Sequence, residues 1–211
     1  MSRRSLPSKL LGWLTRPQGV FAEIDEGDLW LSLLIILLIA STASLARYNY
    51  AIKLPVQIPE FLPRPGQRID PEAFKRNIAY FQAFGEAFRV IANWLLMALL
   101  IHLYMRLLGS RGSLKGMLAK AGFASLPTLL QQALRLVDSY TISRESLLEL
   151  TASLQGGWKP SSFNLFILWT LILLILAASA NYGVSKRRAT AATLPSFLTL
   201  TLLPLLYALK G

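Results

Sequence analysis

The stretch from Phe88 to Leu136 constrains this chain more than any other part of it. Phe88 to Leu108 reads FRVIANWLLMALLIHLYMRLL, with no acid and with charge only at Arg89 and Arg106, and a run of that length suffices to cross a hydrocarbon layer about 30 Å thick as a helix. Gly109 to Lys115 (GSRGSLK) breaks the helix with two glycines and adds Arg111 and Lys115 to Arg106. Short turns dense in cations stay on the cytoplasmic side. Gly116 to Leu136 then returns across, carrying Pro127, Gln131 and Gln132. In hydrocarbon such groups need partners, so other helices must pack here.

With 54% hydrophobic and 16% charged residues and a mean hydropathy of +0.46, the chain lies outside the balance of soluble domains and reads as a polytopic membrane protein. It has no cysteine, which removes disulfides and thiolate metal sites, and its one histidine, His102, is too few for a histidine-rich zinc or haem site. No metal or cofactor is expected. The net charge of +11 is scattered over loops and span ends, where anionic headgroups account for it; no fold that grips nucleic acid accompanies it, so nucleic acid is not an expected partner. Ser2-Arg3-Arg4-Ser5-Leu6 looks like part of a twin-arginine signal, but no apolar run adjoins it: Pro7 and Pro17 interrupt the chain there, and Glu23, Asp25, Glu26 and Asp28 precede the first long apolar run. It reads as an uncleaved basic cytoplasmic start.

The expected class is all-α: a bundle of five transmembrane helices with short amphipathic interfacial helices. Residues 1–28 form a cytoplasmic interfacial segment in which Leu10, Trp13 and Leu14, flanked by Lys9 and Arg16, suit a helix lying among headgroups. Pro17 begins a second short helix with Val20, Phe21 and Ile24 on one face. Residues 29–211 form the membrane domain, with spans at about 29–46, 88–108, 116–136, 162–184 and 189–209. Between the first two, Pro55, Pro59, Pro63 and Pro65 favour an extended arm, and Asp70-Pro71-Glu72 starts a helix. Phe74, Ile78, Phe81, Phe84 and Phe88 then form an aromatic stripe at helical spacing, expected to let that helix lie against the bundle. A short amphipathic helix is expected around Leu147 to Leu154, and Ser179 and Gly183 give a small-xxx-small spacing that suits close helix contact.

Placing the basic turns at 106–120 and 186–188 inside puts the N-terminus in the cytoplasm and the C-terminus outside the cell (inner) membrane. No Asp or Glu falls within a span, which removes the groups on which proton relays and intramembrane aspartyl proteases depend, and no phosphate-binding glycine loop occurs. No catalytic residue is expected, and His102 reads as structural. The same topology brings Asn93 and Gln131 to one depth, each about 6 Å inside the outer border. The residues at that level make an outer-leaflet polar cluster of Asn93, Gln131, Gln132 and Arg135, with Asn164 at its edge. It serves either as interhelical glue or as a ligand site.

Three stretches resemble the Yip (Ypt/Rab-interacting protein) family of five-span membrane proteins in its prokaryotic branch. They are Leu14 to Phe21 (LTRPQGVF), His102 to Gln132 (HLYMRLLGSRGSLKGMLAKAGFASLPTLLQQ), and Phe163 to Ser185 with Trp169. The resemblance covers most of the chain from about Leu10. It implies the five-span fold and no catalytic residue; its eukaryotic members are tied to Rab GTPases through a long cytosolic segment, where this chain has only about 28 residues. The leading expectation is a non-enzymatic scaffold or assembly/trafficking factor whose partners are membrane lipids and a membrane protein or a second copy of itself. The alternative is a transporter or lipid-handling protein, and a lipid-sized groove reaching Gln131 and Gln132 is the feature that distinguishes it.

Overall fold

Prolines and side-chain caps set where several of the helices begin. The computed structural model describes residues 12, 15–55, 70–155 and 165–208, and among these every regular element is helical. Helix α1 (Pro17–Glu23) opens on a proline, whose missing amide hydrogen costs nothing in a first turn. A 3-10 turn, Glu26–Asp28, is closed by a reciprocal cap in which the Gly27 amide donates to Asp25 Oδ1 (2.7 Å) and the Asp25 amide to Asp28 Oδ2 (3.1 Å). Helix α2 (Leu29–Lys53) comes directly after it and runs two turns past Arg47. Helix α3 (Pro71–Leu107) starts where Asp70 caps the Glu72 amide (3.0 Å). The other helices are α4 (Leu114–Ala124), α5 (Leu126–Thr141), α6 (Arg144–Gln155), α7 (Leu165–Tyr182) and α8 (Lys186–Ala208). The proposed anchor Leu10, Trp13 and Leu14, together with Asn164 and residues 56–69, lies outside the described residues.

Among the described residues, three segments are long and apolar enough to cross a membrane: Glu26–Lys53, Pro71–Leu107 and Leu165–Tyr182. Around them, Leu33, Leu37, Leu38, Leu96, Leu99 and Ile172 face outward, which suits contact with lipid and would be a liability in water. The chain is a multi-pass membrane protein. Helix α3, with 37 residues, is about 55 Å long and exceeds the hydrocarbon thickness. Its first half therefore continues the span as one rod, held to α2 by Ser44 Oγ donating to the Ala83 carbonyl (2.8 Å) and by stacking of Tyr48 on Tyr80.

Several expectations need correction. The aromatic stripe faces away from the bundle, with Phe81, Phe84 and Phe88 all exposed; small Ala79 and Ala83 make the approach to α2 instead, because they let the two backbones come close. The stretch 116–136 is not one rod but α4 and α5 in series, interrupted at Ser125. Pro127 has no amide to offer the carbonyl four residues back, that of Phe123. Gly183 is not a contact glycine: its φ of 61° and the Val184 amide bonded to the Ser179 carbonyl (3.2 Å) make it the turn that ends α7. Close approach occurs at Gly122, where a side chain would meet Ser32.

One core joins α1, α2, α3, α4, α5, α7 and α8. Val20, Phe21 and Ile24 are buried with Ile36, Ile101, Phe123 and Leu173, so the second short segment docks into the bundle instead of resting on its surface.

Candidate functional site

The proline break sets up a cavity. Where α4 gives way to α5, Ser125 turns its hydroxyl back to the Ala121 carbonyl (2.9 Å), and Thr128, one turn on, approaches Thr170 of α7 (3.4 Å). Beyond them, the α5 face continues as Gln131, Gln132 and Arg135. From α3, Arg89, Asn93 and Met97 recur every four residues and so project from one face. These two faces enclose a cavity of about 280 Å³, completed by Ile36 and Ile39 of α2, Leu174 of α7 and Phe197 of α8. Asn93, Gln131, Gln132 and Arg135 thus come together; Asn164 is the member on which the described residues are silent.

The cavity is graded. Arg89 and Arg135 mark one end, the amides come next, and the hydroxyls of Ser125, Thr128 and Thr170 share the remainder with apolar side chains. Arg89 lies 17 residues before Arg106 on the same helix, or about 26 Å along it. The charged end is therefore the one remote from the basic turns.

Its polar groups are incompletely used. Arg135 Nη1 donates to Gln132 Oε1 (3.3 Å), while the side chains of Asn93 and Gln131 make no hydrogen bond among the described residues. Arg89 forks onto Glu86, with Nη2 at 2.6 Å from Oε1 and Nε at 2.9 Å from Oε2. Arg135 has no carboxylate within ion-pair distance among the described residues. Next to it, Asp138 accepts from the Tyr50 hydroxyl (2.5 Å), and Lys53 Nζ caps the end of α5 by donating to the carbonyls of Ser139 (2.8 Å), Tyr140 (3.2 Å) and Ile142 (2.8 Å). That bracing fixes the α5 face at the rim.

Three further polar contacts lie outside the cavity. Lys120, which the sequence groups with the basic turn at 106–120, is 7% exposed within α4 and donates to the Ile24 carbonyl (2.5 Å) at the end of α1. It anchors the N-terminal segment to the bundle. Asp25, Asp28 and Glu26 act on it electrostatically, and nothing in the sequence pairs them with it; only the docking of α1 puts them side by side. His102 Nδ1 lies 2.8 Å from the Tyr182 hydroxyl, and Asn181 Nδ2 donates to the Ser113 carbonyl (3.0 Å), so α7 ends on the basic turn. No group of His, Cys, Asp and Glu among the described residues has the arrangement to hold a metal.

In comparison with known proteins, the family model described as the Yip1 domain matches residues 11–209. No curated protein and no solved structure matches the chain.

Proposed function

The chain belongs to the Yip1 domain family, and from that premise we propose that it is a non-enzymatic lipid-handling protein that seats an amphiphile in the cavity between α3, α5 and α7. The supporting observation is that Asn93 and Gln131 line the cavity and make no hydrogen bond to the described residues. Amides that served as interhelical glue would be bonded across the helices, because an unpaired amide in hydrocarbon is costly. Amides that await a headgroup stay open. The volume, about 280 Å³, corresponds to roughly nine water-sized groups at about 30 Å³ each. It takes part of one acyl chain beneath a headgroup, with the rest of the lipid remaining in the bilayer. The proposed orientation puts the basic turns in the cytoplasm and the cavity in the outer leaflet of the inner membrane.

The test is retention. Native mass spectrometry of the wild-type protein in mild detergent is expected to show bound lipid, and Gln131→Leu with Gln132→Leu is expected to lose it while thermal stability falls by no more than about 1 kcal/mol. Lost stability with unchanged retention would return the amides to glue and favour a scaffold acting through helix contacts.

A further inference from the structure

The charge at the rim specifies the kind of amphiphile. Arg89 and Arg135 line the cavity, and Arg47 and Arg135 both act electrostatically on Glu86, the carboxylate that Arg89 grips. Asp138 is the other acid there, one turn beyond Arg135 on α5. Arg47, Arg89 and Arg135, with Lys53 at the end of α5, face Glu86 and Asp138, so cations outnumber carboxylates at the rim. Of the two arginines that line the cavity, Arg89 is paired with Glu86, whereas the guanidinium of Arg135 makes one hydrogen bond among the described residues, the long contact to Gln132, and has no carboxylate within ion-pair distance among them. A guanidinium presents five donors in a planar fork that matches carboxylate and phosphate oxygens. At the edge of hydrocarbon an unmatched cation is expensive, and an anion that pairs with it is held strongly.

We propose that the ligand is a monoanionic amphiphile, its phosphodiester or carboxylate seated on Arg135 with Arg89, Asn93 and Gln131 beside it and its chain among Ile36, Trp94 and Leu174. This inference rests on the lipid-pocket reading of the cavity. Glu86 is then an internal competitor, since it occupies the fork of Arg89 that the ligand's anion would otherwise share.

The experiment uses the full chain in nanodiscs of matched acyl composition, extracted and weighed by native mass spectrometry. Phosphatidylglycerol is expected to be retained roughly tenfold over phosphatidylcholine, the factor corresponding to one charge-assisted hydrogen bond. Arg135→Gln should bring the two lipids close to parity, and Arg135→Lys, which keeps the charge and loses the fork, should fall between. Glu86→Gln should raise phosphatidylglycerol retention above wild type, a gain that misfolding cannot produce. A parallel arm with palmitate separates a carboxylate from a phosphodiester ligand; dependence of either on Arg135 supports the assignment. Thr170→Phe, which fills the cavity, should displace both lipids. Equal retention of the two lipids in wild type and Arg135→Gln, with both lost in Thr170→Phe, overturns the anion assignment and leaves the pocket standing. Retention unaffected by Thr170→Phe, or absent in wild type, overturns the pocket as well.

Discussion

A methyl group on Gly122 would lie 2.8 Å from the Cα of Ser32 and closer still to its Cβ. The helices α2 and α4 approach so tightly there that Ser32 Oγ donates to the Ala119 carbonyl, a hydrogen bond that no residue with a larger neighbour would reach. Because the obstruction includes backbone, the helices themselves must separate to admit a side chain. Gly122→Ala is therefore expected to lower stability by about 1–3 kcal/mol. Gly85 supplies the contrast: a methyl group there meets nothing within 4 Å, and Gly85→Ala within α3 should be neutral or stabilising by up to about 1 kcal/mol. Thermal unfolding of both variants in the same detergent checks the pair. Equal shifts for the two would mean that helix propensity, not contact with Ser32, governs Gly122. Lys120 belongs to the same scale. A lysine inside α4 is tolerated because its ammonium reaches the free carbonyl at the end of α1, where the helix dipole favours a cation.

Among the elements, the pair α4 and α5 governs the cavity. Neither its 11 residues nor its partner's 16 are long enough to cross hydrocarbon alone; the proposed topology has them cross together, with an interruption at Ser125 beyond which Thr128 approaches Thr170 of α7. Pro127→Ala restores the missing donor and should let the two helices fuse. Since the chain has no cysteine, spin labels at Leu118→Cys and Leu134→Cys report this without further changes. The Pro127→Ala background is expected to lengthen their separation toward the roughly 24 Å of a straight 16-residue rise. An unchanged distance would mean that packing against α2 and α7 imposes the break. Helix α8, by contrast, runs through Pro195 and Pro204 without interruption.

For the whole molecule the outstanding proposal is the topology, with five crossings and the basic turns inside. Reporter fusions after Arg111 and after Lys210 are expected on opposite sides of the membrane, and the same side for both would sink that arrangement. The membrane class, the all-helical fold and the starts at Pro17, Leu29 and Pro71 were legible in the sequence, because hydropathy, prolines and caps act locally along the chain. Counting residues along helices of known rise sets Asn93 and Gln131 at one depth, and both line one cavity with Gln132 and Arg135. Rotation was not legible. Whether Phe81, Phe84 and Phe88 face lipid or bundle, whether Lys120 lies in a turn or in the core, and whether Gly122 or Gly183 is the point of contact depend on which faces of several helices meet. In a membrane every face is apolar, so hydropathy carries no signal for the choice. Only the tertiary packing decides it, through small residues that admit a neighbour and polar groups that need one, and the same packing sets Asn93 and Gln131 in a cavity with no hydrogen bond to the described residues.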